Sequence, residues 1–357
     1  MIRILVTGAG GVGGVNFVRS LRAAPQSFYI VGTDFFKYHL EFSSSDAKYK
    51  SPPHSSEDYI NFLSRLIKEE KIDFLHPQPE VEVEVVANSL DKVDCKTFLP
   101  KTESIKNARD KYLTYRKLKS KGLVPRTVLY SEENLEETFE ELEPPVWVRL
   151  RKGAGGKLSL PCNTIEEAKH WVSLWIKKSG ASEKDFLLQE YLPGRDLAWD
   201  SLWYKGELIT SYARERLEYV FPNVSPSRVT GTPLVSRITK DSIVDRVAVE
   251  AVRALDEKPH GFFCLDLKEG KDEKPYVTEI NVKVHTTLPL WSYIAVRHFK
   301  MSNWANLPYL YVKLGLGQEI NLDEIPKFNL YPKCILLRHI DCGVILLEEN
   351  GCKTRIL

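Results

Sequence analysis

PVWVRLRKGAGGK, residues 145–157, decides how the rest of the chain is read. Alternation along a strand puts Trp147, Arg149 and Arg151 on one face and Val146, Val148 and Leu150 on the other. The strand then runs into Gly153, Ala154, Gly155, Gly156 and Lys157. A glycine-rich turn of this kind lets backbone N–H groups fold over the oxygens of a triphosphate while flanking cations neutralise charge. The GxxxxGK[ST] spacing is absent, so this is not a P-loop. By itself the stretch also fits a plain surface hairpin with basic flanks.

Three further motifs follow in order. LLQEYLPGRD (187–196) is an apolar strand broken by Pro193 and Gly194, and such a break frees backbone groups to read the edge of a flat ring. The bland alternative is an ordinary strand ending at a Pro-Gly turn. FFCLDL (262–267) and TEIN (278–281) are joined by a charged turn. Glu279 and Asn281 lie two apart and share a strand face, and Asp266 can meet them across the hairpin. Two carboxylates and an amide oxygen are hard ligands that suit Mg²⁺. A solvated acidic hairpin is the competing reading, but Phe263, Cys264 and Ile280 argue for a buried sheet, where unpaired carboxylates are costly.

Upstream, residues 1 to about 100 read as alternating strands and helices, the pattern of a mostly parallel sheet covered on both faces. Strands are predicted at 2–7, 29–34 and 72–76, and helices at 12–23 and 56–70. One long basic helix is predicted over 104–121, capped by Gly122. From Pro144 onward strands come in hairpin-like pairs with helices at 165–177 and 242–254, an α+β pattern. The acidic run 132–143 reads as a solvated helix face, and 333–357 as a terminal hairpin turning near 349–351. Gly8, Gly10 and Gly13 form a GxGxxG between a strand and a helix, with Asp34 ending the next strand. That spacing fits a dinucleotide fingerprint and keeps an NAD(P)-binding oxidoreductase open, although such glycines equally serve tight strand-to-helix packing.

The chain has 357 residues, enough for two or three packed domains, and 43% hydrophobic with 27% charged residues is globular composition. A net charge of +2 gives no field that would select nucleic acid or an anionic membrane. No apolar run approaches the ~20 residues that span a bilayer. The six cysteines show no CxxC or Cys/His spacing, which points to reduced thiols and a cytoplasmic location.

In this order and over nearly the whole chain, the motifs resemble the ATP-grasp family, and the start ILVTGAGG resembles the first domain of carbamoyl phosphate synthetase and its relatives. The resemblance implies an α/β and α+β architecture: a Rossmann-like N-terminal domain over 1–103, a small lid subdomain over 104–188, a core over 189–325 and a C-terminal strand or hairpin extension over 326–357. It implies an ATP- and Mg²⁺- (or Mn²⁺-) dependent ligase that activates a carboxylate or carbamate as an acyl phosphate for attack by an amine. A non-catalytic ATP-binding protein keeping the same fold is the other alternative. On this likeness Lys111 (in NARDKYLTY), Arg149, Arg151, Gly153, Gly155, Gly156 and Lys157 face the phosphates, with Arg149 where carbamoyl phosphate synthetases carry arginine. Gln189 meets the adenine amino group, Glu190, Tyr191 and Leu192 line the hinge, and Asp196 accepts from the ribose. Asp266, Glu279 and Asn281 hold the metal, and Arg149, Lys283 and Arg214 are the catalytic candidates. The family continues Asn-Pro-Arg where this chain has Asn281-Val282-Lys283, so a lysine stands in for the expected arginine. Arg214 and Arg216 share a strand face that reads equally well as solvated, and His285 is expected to be structural. Glu80 and Glu82 are expected at the cleft, as amine ligands or as solvent-facing acids. The partners implied are small-molecule acids and amines and a possible homo-oligomer, with no nucleic acid and no membrane.

Overall fold

The computed structural model describes residues 1–153, 155–156, 158–339 and 343–356. Near the N-terminus β1 (Ile2–Thr7), β2 (Phe28–Asp34), β3 (Ala47–Lys50) and β4 (Phe74–Pro77) form a parallel sheet in the order β3-β2-β1-β4. The helices α1 (Val12–Arg22), α2 (Asp58–Glu69) and α3 (Glu80–Ala87) cover it. Ile4, Val6, Phe17 and Ile30 fill one face, while Leu5, Val31, Leu63 and Leu66 fill the other. Such double coverage is why the inner strands β1 and β2 are largely apolar, whereas the edge strand β3 alternates.

The single basic helix expected over 104–121 is two helices, α4 (Thr102–Arg109) and α5 (Lys111–Leu118). Asp110 breaks it: its backbone is extended, and its carboxylate caps α5 by accepting from the N–H groups of Tyr112 (3.1 Å) and Leu113 (3.3 Å). Gly122 ends the following turn in the left-handed region at φ +65°. A small antiparallel sheet then assembles from β5 (Thr127–Leu129), β6 (Val146–Leu150), β7 (Leu160–Cys162) and β8 (Phe186–Glu190), in the order β5-β8-β6-β7. Helices α6 (Leu135–Leu142) and α7 (Ile165–Ser179) pack on it. The acidic run hides an apolar stripe, because Leu135, Phe139 and Leu142 are buried with Val146 and Leu188.

The rest forms a large antiparallel sheet from β9 (Asp196–Tyr204), β10 (Glu207–Tyr219), β11 (Pro233–Thr239), β12 (Gly261–Glu269), β13 (Pro275–Asn281), β14 (Cys334–His339), β15 (Gly343–Glu348) and β16 (Lys353–Arg355). Its order is β13-β12-β9-β10-β11-β14-β15-β16. The helices are α8 (Ser242–Leu255) on one side and α9 (Leu288–Arg297) with α10 (Leu307–Gly315) on the other. The C-terminal segment adds three strands to the edge of the core sheet: β15 and β16 form a hairpin across 349–352, where a turn was expected, and β14 joins them to β11. Among the described residues no helix is long and apolar enough to cross a membrane.

Candidate active site

A cavity of about 370 Å³ lies between the small sheet and the large one. From the small sheet it is lined by Trp147, Arg149, Gly155, Gly156 and Gln189 to Leu192; from the large one by Asp196, Arg214, Arg216, Asp266, Glu279, Asn281 and Lys283. Asp266 and Glu279 are direct cross-strand partners on β12 and β13, and Cys264 pairs with Asn281 one step along. The hairpin therefore presents its acids side by side, as the two-residue spacing requires.

Cations of the chain meet these acids. Arg149 reaches across the cavity to donate to Glu279 (3.1 Å), to the Thr278 carbonyl (3.1 Å) and to Gln189 (3.4 Å). The Lys111 ammonium lies 3.4 Å from Glu279 and donates to the Gly153 carbonyl (2.7 Å). Burial pushes Lys111 and Arg149 below their ordinary values, and Glu279 pulls both back. Arg216 bridges Asp266 and Asp196, the latter at 3.0 Å, and Tyr219 donates to Asp196 at 2.6 Å. Burial alone would raise the Asp266 carboxyl, but Arg216 and then His285 outweigh it and hold it down to about 2. Neither Arg214 nor Arg216 is on a solvated face. Both are buried, and Arg214 pairs with Asp200 (3.3 Å) and approaches His285 (3.3 Å). His285 also meets Asp200 at 2.5 Å and Asn281 at 3.2 Å. Buried polar groups need such partners.

Several candidates are placed elsewhere or are otherwise engaged. Arg151 does not line the cavity; its guanidinium is held by Asp110 at 2.8 Å. Gly153 also lies outside the lining, with its carbonyl on Lys111. Lys157 and Ala154 fall outside the described residues. The Gln189 carboxamide is occupied by Thr127 (2.9 Å) and Arg149, and Glu190 pairs with Arg126 at 3.2 Å. The Trp147 and Tyr191 rings stand 6.2 Å apart at the hinge end.

Sequence reasoning passed over Asp200, although a charged residue inside the apolar run LAWDSLW was a signal for it. It also passed over the lining segments Val229–Pro233 and Thr286–Thr287, which carry no local signature. Asp200, Cys264 and His285, far apart in sequence, bring ligand atoms within 4.8 Å of one another. Arg214 already neutralises Asp200 there, and burial first and Asp200 second push the Cys264 thiol up, so the cluster is poorly suited to a second metal.

The N-terminal glycines are used for packing. A Cβ on Gly13 would meet the Gln78 amide at 2.6 Å, and one on Gly10 would strike the backbone at His39 and Leu40. Asp34, the acid a dinucleotide ribose would need, accepts from Gly10 N in the glycine turn (3.1 Å) and from Phe36 N in its own loop (2.9 Å). The nicotinamide reading is therefore set aside.

The model of the ATP-grasp domain matches residues 108–287, about half of the chain, and the chain belongs to that family. Tyramine–L-glutamate ligase from Methanocaldococcus fervens is 24% identical over 231 residues, 63% of this chain and 64% of that relative. Among solved structures, L-amino acid ligase from Bacillus licheniformis superposes with a TM-score of 0.66 at 14% identity, covering 94% of this chain and 79% of its own. The biotin carboxylase domain dimer of Hydrogenobacter thermophilus 2-oxoglutarate carboxylase, in complex with MgADP and bicarbonate, gives 0.69 at 16%, with 94% and 74% covered. These likenesses establish the ATP-grasp fold.

Proposed function

We propose that the chain is an ATP- and Mg²⁺- or Mn²⁺-dependent ligase that activates a small carboxylate, or carbamate, for coupling to an amine. One observation carries the reading: in a single cavity Asp266 stands beside Glu279, Arg149 reaches them from the opposite wall, and Gly155 and Gly156 lie at the edge. The donor set fits a hard divalent ion, because it offers oxygen only and Asp266 is held ionised. Asp266, Glu279 and Asn281 would hold that ion, which when bound neutralises charge on the nucleotide phosphates. Arg149, Lys111 and Arg216 now cover the acids and are the groups free to turn to phosphate oxygens in exchange.

In this reading Trp147, Tyr191 and Leu192 flank the base and Asp196 accepts from the ribose. A substrate carboxylate oxygen attacks the γ-phosphorus and ADP departs. The amine nitrogen then adds to the acyl carbon, loses a proton and expels phosphate. Lys283, lining the cavity near Glu80, offsets charge on the transferred group. No side chain needs to act as a nucleophile; orientation and electrostatics supply the rate. The names of the ligase relatives, an amine and an amino acid among them, support this class, and the MgADP and bicarbonate in the carboxylase neighbour support the cofactor. The unbridged Cys95, Cys162, Cys264, Cys334 and Cys352 support a cytoplasmic setting, and the neighbour's dimer a homo-oligomer. The domain limits at 103, 188 and 325 stand as part of the same proposal.

The test is ADP and phosphate release from MgATP over a panel of amino acids, dicarboxylates and bicarbonate, each with and without ammonia and simple amines. Release that requires an acid is expected. ATP binding without release across the panel, or thermal protection by NADH instead of MgATP, would overturn the reading.

A further inference from the structure

One register row crosses the large sheet just beside the acids of the cavity. Asn281 on β13 pairs with Cys264 on β12, and Cys264 pairs with Asp200 on β9. Neighbours in such a row share a sheet face, so Asn281 and Asp200 stand two strand spacings, about 10 Å, apart with only the small Cys264 between them. His285, four residues beyond Asn281, fills that gap; it is 8% exposed and lines the cavity. Its Nδ1 lies 2.5 Å from Oδ1 of the fully buried Asp200, and its Nε2 lies 3.2 Å from Nδ2 of Asn281. The ring thus joins a buried charge to a candidate metal ligand.

The chemistry of the partners decides which way each group points. Asp200 pairs with Arg214 at 3.3 Å and, as a carboxylate, only accepts. Its Oδ1 is buried and bonds to no other donor. A separation of 2.5 Å from Nδ1 requires a hydrogen between the two atoms, so Nδ1 carries it. Nε2 faces the amide nitrogen of Asn281, which only donates, so Nε2 accepts. The remaining neighbours of the ring are a longer contact from Arg214 to Nδ1, at 3.3 Å, and Asp266, 3.5 Å from Nε2 and already held by Arg216. An amide whose nitrogen is held on one side presents its oxygen on the other, and Asn281 lines the cavity with Asp266 and Glu279.

We propose that His285, anchored by Asp200, is a positioning residue for metal binding: it holds the Asn281 amide so that Oδ1 is free for the divalent ion. The inference rests on the metal site of the ligase reading and deepens it. Groups that fix the orientation of a metal ligand from behind contribute about 10- to 100-fold to affinity.

The experiment measures ADP binding to the full chain by calorimetry, once with excess Mn²⁺ and once in EDTA; the ratio of the two Kd values is the contribution of the metal. His285→Phe keeps a ring in the gap and removes both nitrogens. It is expected to cut the ratio about tenfold and to leave the Kd in EDTA unmoved. His285→Gln, whose carbonyl oxygen can still accept from Asn281, is expected to keep most of the ratio. His285→Met stands in if the Phe variant does not fold. In an Asn281→Ala background His285→Phe is expected to cost nothing further, because the effect runs through that amide. A lower Tm with an unchanged ratio makes the ring a packing residue and overturns the proposal. So does an equal loss with and without Mn²⁺, or a full loss that persists beside Asn281→Ala. A wild type that gains nothing from Mn²⁺ removes the metal site and this role with it. If the ratio falls as expected while no acid releases ADP, the positioning role stands and the ligase reading falls.

Discussion

At the scale of single residues, Glu279 carries the most. It faces Arg149 and Lys111 at once, and both cations are buried, so its carboxylate is a structural counter-charge before any ligand arrives. Glu279→Gln should therefore do two things. Magnesium-dependent turnover should fall by more than about 100-fold, because the carboxylate proposed to hold the metal becomes a neutral amide. The ligand-free protein should also lose about 3 kcal/mol, since two buried cations lose the carboxylate they share and keep only neutral acceptors. Turnover against magnesium concentration checks the first and denaturant unfolding the second; a normal magnesium requirement in the variant would remove Glu279 from the metal site. Asp266, Glu279 and Asn281 were legible from sequence because a hairpin with two-residue spacing leaves few ways to arrange them. Arg151 was misjudged for the opposite reason. The strand ends at Leu150, and beyond it alternation no longer decides direction, so Asp110 does.

At the scale of elements, two loops interlock over the cavity. Gly156 approaches Val229 so closely that an added Cβ would meet its carbonyl at 2.8 Å, and Gly231, at φ +67°, abuts the backbone of Gly155. The glycine turn is thus packed on the long connection between β10 and β11. Gly231→Ala should push the loops apart and raise the KM for ATP severalfold while moving Tm by only a few degrees, since both loops lie outside the cores. Gly122→Ala is the control. It has the same left-handed backbone at φ +65° with nothing near its Cβ, and should cost about 1 kcal/mol without changing the KM. Equal kinetics in the two variants would dissolve the link between interlock and nucleotide. Glycines announce such turns in sequence, yet nothing local says which loop covers which, because that contact joins residues more than seventy apart. The break at Asp110 was hidden similarly: helix periodicity runs through it, and only the Arg151 contact shows why the chain turns there.

At the scale of the whole molecule, the N-terminal sheet is bound to the segment that follows the acidic hairpin. Asn16 donates to the Thr286 carbonyl and Gln78 to the Val284 carbonyl, each at 3.0 Å, while Ser20 and Asn306 exchange bonds of 2.7 Å. At the centre of this seam His76 lies flat on Phe17, ring centroids 3.7 Å apart, with Tyr311 of α10 edge-on at 5.4 Å. Burial pushes His76 from its ordinary 6.5 down to about 4, against a smaller opposing pull from Gln78. Between those values the unfolded chain binds a proton that the folded chain refuses, so stability rises with pH across the window. It is complete above pH 6.5 and lost as pH falls towards 4. The contribution is roughly 3 kcal/mol. Asp266 acts in a separate window, between 3.8 and about 2, and does not blur this one. Burial raises the Glu80, Glu82 and Asp245 carboxyls, which pull the other way at the acid end, so urea unfolding at pH 4.5, 5.5 and 6.5 is read as the difference in slope between wild type and variant. His76→Phe, which keeps a ring on Phe17 and removes the titration, should flatten the climb. A slope unchanged in that variant would assign the acid sensitivity to another group and leave His76 a packing residue of the seam.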